Sequence, residues 1–158
     1  MAKRYTLIRD RIITKIQSAV TSTVPEMVVL TAPTLEFQAY PAAYIIPQEG
    51  DSDWETNAQD ERAYPFQINI YYETKQSGKN GALDALMNLV DDILDAFAQD
   101  KQMANTAPSL QKQLASEGYN NDVVKSVSPV AAGWGEVTER ELLVATIKIT
   151  VHLALPNQ

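Results

Sequence analysis

The feature that most constrains the fold is a long stretch near the C-terminus in which apolar and polar residues alternate. Its apolar positions are Leu143, Ala145, Ile147, Ile149, Val151 and Leu153. The positions between them include Thr146, Lys148, Thr150 and His152. Because successive side chains of a strand point to opposite faces, this pattern predicts a strand with one face against a core. Such a strand needs a paired neighbour and a covering layer, so the chain is predicted to contain a packed sheet.

Two further segments supply partners for this strand. From Pro65 the chain alternates again, with Phe66, Ile68, Ile70 and Tyr72 on one side. The segment 122–136 is predicted to be a long irregular strand, in which Pro129 and nearby glycines allow bends. It directly precedes the closing strand, so the two are expected to pair antiparallel.

Two amphipathic helices are predicted, over residues 3–22 and 82–99. In the first, the apolar stripe comprises Tyr5, Ile8, Ile12, Ile13, Ile16 and Val20. In the second, it comprises Leu83, Leu86, Met87, Val90, Ile93, Leu94 and Phe97. These steps of three and four residues are typical of helices that bury one face. With 158 residues, the chain is predicted to be one α+β domain over 1–158, an antiparallel or mixed β-sheet with two main helices packed on one face.

The remaining segments are less regular. Residues 27–31 are predicted to be a short strand, and 35–46 an extended edge or bulged strand because it contains prolines. Residues 48–62 carry six acidic side chains and are predicted to be a polar acidic loop. Residues 100–121 form a connecting segment of uncertain structure, in which a short helix around Leu110 and Leu114 is one possibility.

The composition excludes several classes of function. The chain has no cysteine, which rules out disulfides, thiolate metal sites and cysteine nucleophiles. Its formal net charge is −7, which disfavours a cationic nucleic-acid-binding domain or a polybasic membrane anchor. Arg9, Asp10 and Arg11 interrupt the apolar residues of the N-terminal region, so no signal-peptide core is expected. No apolar run approaches the roughly 18 residues that a membrane helix needs.

The acidic segment has a partial resemblance to a calcium-binding loop. Acidic and amide residues alternate from Asp51 to Asn57, as at the start of such a loop. However, position six is Thr56, where a glycine is required, and position twelve is Arg62, where a bidentate glutamate is required. A solvated loop is therefore favoured over a metal site.

The other candidates for chemistry are equally weak. Asp91 and Asp95 share a helix face, but they lie opposite the apolar stripe, where a solvated face is the usual explanation. His152 is the only histidine, and no nucleophile elbow accompanies it. The Gly78–Gly81 turn lacks the spacing of a phosphate-binding loop. We therefore predict no catalytic residue, no metal ligand and no cofactor.

The candidates for interaction are charged and aromatic residues outside the clean apolar stripes. In the acidic segment they are Asp51, Asp53, Trp54, Glu55, Asp60 and Glu61. In the N-terminal helix they are Arg4, Arg9 and Arg11, and Trp134 lies between two glycines of the long irregular strand. Aromatic residues and arginine are enriched at protein interfaces, so these positions are predicted to contact other proteins.

The order of these segments resembles the tail terminator, or tail completion, proteins of long-tailed bacteriophages. The N-terminal helix is followed by the aromatic and proline-rich stretch Tyr40–Pro47, a variable polar segment and the alternating strand in Glu61–Tyr72. The helix 82–99 and the closing strand pair complete the pattern, whereas the segment 100–121 departs from it.

This resemblance implies a non-enzymatic structural protein of the virion, located at the head-proximal end of the tail and assembled in the cytoplasm of the bacterial host. Its members form a ring, typically of six subunits, that caps the tail tube and stops its polymerisation. The implied partners are other copies of the chain, the tail tube protein and a head-completion or connector protein. DNA passes through the lumen without sequence-specific binding, and no membrane is involved.

Four other interpretations remain open. A head-side neck or connector protein would share ring symmetry, whereas a tail tube subunit would polymerise by itself. A small hydrolase would require a pocket with His152 or the acidic segment. A soluble binding module would have a stable partner outside any virion.

Overall fold

The computed structural model describes residues 3–25, 27–48, 52–56, 59–75, 78–104 and 109–156, and it describes the backbone alone for 52–60 and 156 within these ranges. Within these residues, three α-helices and six strands follow one another. The helices are α1 (Arg4–Ala19), α2 (Gly78–Ala98) and α3 (Leu110–Ser116). The strands are β1 (Val28–Leu30), β2 (Ala42–Pro47), β3 (Ser52–Thr56), β4 (Gln59–Glu73), β5 (Val123–Val137) and β6 (Leu142–Pro156).

The strands form one mixed sheet in the order β1-β2-β4-β6-β5, with β3 beside β4. β1 is parallel to β2, and every other pairing is antiparallel. β4 and β6 are paired along their whole length, from Gln59 opposite Pro156 to Glu73 opposite Leu142. The sheet is therefore built around the two segments with the cleanest alternation in the sequence.

Both long helices pack on one face of the sheet, as predicted. α1 lies against β1, β2 and β4, whereas α2 lies against β4, β5 and β6. The core between the layers contains Ile8, Ile12 and Ile16 from α1, Leu86, Val90, Ile93 and Phe97 from α2, and Phe66, Ile68, Ile70, Ile147, Ile149 and Val151 from the central strands. The α+β fold class is thus confirmed, and the alternation of β4 and β6 places one set of side chains against the helices.

Several predicted elements are confirmed with small changes in length. The two predicted long helices correspond to α1 and α2, and the closing strand pair corresponds to β5 and β6. β5 has register shifts between Val124 and Ser126 and between Ala131 and Gly133, close to the residues expected to allow bends. α3 occupies the uncertain segment, with the Ser109 side chain accepting a hydrogen bond from the Lys112 amide at its start.

Two expectations about the first half were wrong. β2 was predicted to be an edge or bulged strand, but it pairs with both β1 and β4. Pro41 lies before the strand and Pro47 is its last residue, so neither proline interrupts the pairing. The stretch 48–62 was predicted to be a polar loop, but it contributes β3 and the start of β4. These polar residues form strands because β6 continues to Pro156 and its backbone pairs with that of β4 as far as Gln59. None of the described helices is long and apolar enough to span a membrane.

Candidate assembly surfaces

The acidic residues predicted as contacts lie on a β-hairpin at one end of the sheet. Asp53, Trp54 and Glu55 belong to β3, and Asp60 and Glu61 belong to β4, whereas Asp51 lies outside the described residues. The register places Asp53 directly opposite Glu61. The backbone therefore brings four of the predicted acidic residues together at this end of the sheet.

Arg4 is engaged within the chain. Its Nε lies 2.6 Å from Oδ2 of the buried Asp122, and its Nη2 lies 3.2 Å from Oδ1. The guanidinium also stacks over the ring of Tyr119, 4.2 Å from the centroid. The hydrogen bond to Asp122 raises the pKa of Arg4 above its usual value, against the opposing effect of burial. This contact fixes the start of α1 to the segment that leads into β5.

Arg11 is also turned inward, toward a second buried carboxylate. Lys15 Nζ lies 2.7 Å from Oδ2 of Asp100, and Oδ1 of the same residue accepts a hydrogen bond from the Ala104 amide at 2.7 Å. Burial lowers the pKa of Arg11, and the charge of Asp100 partly offsets this effect. The Asp100 carboxylate, just after the end of α2, thus interacts with two buried cations of α1, Lys15 and Arg11. These interactions attach α1 to the end of α2.

Arg9 lies on a different flank of α1 and stays accessible. Its guanidinium pairs with the neighbouring Asp10 at 2.9 Å, and 31% of the Arg9 side chain is exposed. One turn earlier, Tyr5 is 40% exposed. Its ring also packs edge-to-face against the ring of Tyr64, with 4.7 Å between the two centroids. Of the three arginines predicted as contacts, Arg9 is the one whose position leaves it available to another molecule.

Trp134 lies on β5 and exposes 49% of its surface. Its register partner is Ala145, whose side chain belongs to the core, so the indole is on the helix side of the sheet. Two residues later, Glu136 pairs with Lys79 of α2 at 2.8 Å. This ion pair sets the first turn of α2 above the end of β5, close to Trp134.

Leu83 and Met87 of α2 complete an exposed apolar surface at this edge. They are 38% and 39% exposed, although their spacing in the sequence predicted that they belong to the buried stripe. Leu83 follows Lys79 by one helical turn, on the side of α2 from which Lys79 reaches Glu136 of β5. Both lie at the margin of the apolar stripe, next to Asp84 and Asp91. That position on the helix could have predicted from the sequence that they are exposed.

The sheet face away from the helices carries an uncharged polar network. The Asn69 amide donates to the Tyr44 hydroxyl at 2.6 Å, and the Thr146 hydroxyl donates to Asn69 Oδ1 at 3.0 Å. Next to it, Tyr71 packs between Tyr44 and Phe37. Burial raises the pKa of Tyr71 to about 12, and its hydrogen bond with Tyr44 adds to the shift. These contacts hold β2, β4 and β6 together rather than form a reactive site.

The positions considered for catalysis or metal binding are dispersed. His152 has Ala63 and Ser126 as its cross-strand neighbours. Among the described residues, no group of three or more histidine, aspartate or glutamate side chains is placed to hold a metal ion. A cavity of about 430 Å³ beside β1 is lined by Gln17, Pro25, Met27, Val28 and Val29. These described lining residues carry no titratable side chain, and four of the five are apolar.

Comparison with known proteins finds similarity at the level of the fold. Neither a protein-family model nor a curated protein matches the sequence. The fold is similar to that of a chain in the virion of a native gene transfer agent particle, with a TM-score of 0.51 and 12% sequence identity. The match covers 90% of this chain and 91% of that chain. At this identity the similarity shows a shared fold.

Proposed function

We propose that this chain is a structural protein of a phage-like virion and that it acts as a tail terminator. The observation that carries the proposal is the fold match over 90% of this chain and 91% of a virion chain. A match of this extent spans most of both chains rather than a single motif. The order of elements in the sequence, which resembles the tail terminator family, supports the same assignment.

The proposed assembly is a ring of six subunits, as in the family that the chain resembles. A ring needs a heterologous contact, in which one patch of a subunit meets a different patch of the next. The sheet has β1 at one end and β5 at the other, and each end exposes apolar side chains, such as Val28 and Trp134. Different surfaces at opposite ends of one sheet suit such a contact.

The ring would cap the tail tube, stop its polymerisation and present the surface that joins the filled head. Its partners would be the tail tube protein on one side and a head-completion or connector protein on the other. The acidic hairpin β3–β4 is the element we assign to contacts within the assembled tail. The net charge of −7 suits a lumen through which DNA slides, because an acidic wall would not retain phosphates.

The proposal is tested by electron microscopy of particles made with and without this gene in the phage that encodes it. Loss of a tail terminator should give overlong tails without heads beside DNA-filled heads. Tails of normal length that fail to join heads would instead place the chain in the neck, as a head-side connector. Intact infectious particles would overturn both assembly roles.

A further inference from the structure

The first observation is an exposed apolar patch at the β5 end of the sheet. It comprises Leu83, Met87 and Trp134, with Asp84 and Asp91 at its rim, and we call it the β5-end patch. Its three apolar side chains are 38%, 39% and 49% exposed. The two aspartates are exposed and form no ion pair with any other residue in the described part of the chain. An apolar centre with a charged rim is the usual anatomy of a protein interface.

The second observation is a surface of the opposite charge on α1. It comprises Lys3, Tyr5 and Arg9, and we call it the α1 flank. Lys3 is exposed, Tyr5 is 40% exposed, and Arg9 extends next to Asp10. The flank therefore combines an aromatic side chain with two cations, of which Arg9 is paired with the exposed Asp10, so its net charge is positive and opposite in sign to the acidic rim.

The two surfaces face opposite ends of the molecule. Arg4 and Lys15 point from α1 toward Asp122 and Asp100, which lie on the side of α2 and β5. Tyr5 and Arg9, four residues apart, occupy the other flank of α1 and face away from α2. Since α1 lies over β1, β2 and β4 whereas α2 lies over β4, β5 and β6, the flank of α1 that faces away from α2 is turned toward the β1 side of the sheet.

We propose that the β5-end patch of one copy binds the α1 flank of the next copy, so that this contact is the subunit interface. The proposal rests on the ring proposed above and specifies how neighbouring subunits join. Tyr5 would pack against Leu83, Met87 and Trp134, with Arg9 beside Asp84 and Asp91. Because each copy carries both surfaces at opposite ends, the contact is heterologous and propagates until the ring closes.

Cysteine cross-linking tests the geometry directly, since the chain has no cysteine of its own. The doubly substituted chain Arg9→Cys/Asp84→Cys, oxidised as purified protein and in assembled particles, should give a ladder of covalent oligomers. Mass spectrometry should identify the 9–84 disulfide between chains. The matched control is Arg9→Cys/Lys148→Cys, because Lys148 is exposed on the sheet face away from the helices, and it should give no ladder.

A charge exchange gives an independent reading of the same contact. Arg9→Glu should weaken association about tenfold, as measured by sedimentation velocity, and Arg9→Glu/Asp84→Arg should restore it. Ring-shaped oligomers that neither cross-link between 9 and 84 nor respond to the exchange would overturn this interface while leaving the ring intact. A chain that is monomeric both in solution and in assembled particles would overturn the interface and the ring together.

Discussion

Two buried carboxylates determine where α1 lies. Asp100 and Asp122 stand 85 and 118 residues from Lys15 and Arg4, and each is almost fully enclosed. A buried ion pair adds little stability over an apolar pair, but removing one partner leaves an uncompensated charge. The pairs therefore act mainly to define a single position for the helix, with the segment between α2 and β5 held at both ends.

Removal of the Asp100 carboxylate should be severely destabilising. In Asp100→Ala, Lys15 and Arg11 lose the charge that neutralises them, and we expect the free energy of unfolding to fall by about 3–5 kcal/mol. Asp10→Ala is the matched control, since it breaks the exposed pair with Arg9 and should cost under about 1 kcal/mol. Urea unfolding of both variants measures the difference. Equal losses in the two variants would show that the buried cluster contributes no more than a surface pair.

At the scale of the element, β5 is an edge strand that is protected against the addition of another strand. It spans Val123–Val137 and pairs only with β6 among the described strands. Pro129 and two register shifts interrupt its edge, and the Gln111 side chain covers its start. Such features block edge-to-edge pairing of sheets. Association at this end of the molecule is therefore expected to use side chains, as in the proposed interface, rather than a continued ladder.

The side-chain amide of Gln111 forms the hydrogen bonds that the backbone of a neighbouring strand would form at the start of β5. Its Oε1 accepts the Val124 amide proton at 3.0 Å, and its Nε2 donates to the Asp122 carbonyl oxygen. Gln111→Ala should lower the free energy of unfolding by about 1–2 kcal/mol and speed hydrogen exchange at the Val124 amide. Lys112→Ala, an exposed position on the same helix, should change neither quantity. Unchanged exchange at Val124 in Gln111→Ala would mean that the side chain does not protect the edge.

The sequence predicted the elements whose own residues alternate or repeat with a regular period. It did not predict the features that depend on residues far away in the sequence. β6 and the second half of β4 were recognisable because their alternation is set by burial on one face. β3 has no such alternation, since its strand conformation comes from pairing with an extended β4. Arg4 and Arg11 were expected to face outward, because Asp122 and Asp100 are remote in sequence. Leu83 and Met87 were assigned to the core because periodicity alone does not show where a helix face leaves the sheet.

At the scale of the whole molecule, negative charge is concentrated at one end of the strands. The hairpin β3–β4 extends along the last residues of β6, from His152 opposite Ala63 to Pro156 opposite Gln59. Deleting the hairpin would remove backbone pairing from β6 as well as charge. Neutralising its acids is therefore a cleaner test of a role in tail contacts than shortening the chain.

The variant Asp53→Asn/Glu55→Gln/Asp60→Asn should fold and form rings but lose the ability to cap tail tubes. The substitutions keep the size of the side chains and the strand backbone, and they remove charge from the hairpin. Tail lengths are measured by electron microscopy of particles made with the variant, while far-ultraviolet circular dichroism and sedimentation velocity report folding and assembly. Asp92→Asn, an exposed neutralisation on α2, should leave tail length unchanged. Tails of normal length from the triple variant would show that the hairpin charge is not needed to recognise the tube, and the contact would then have to lie elsewhere on the ring.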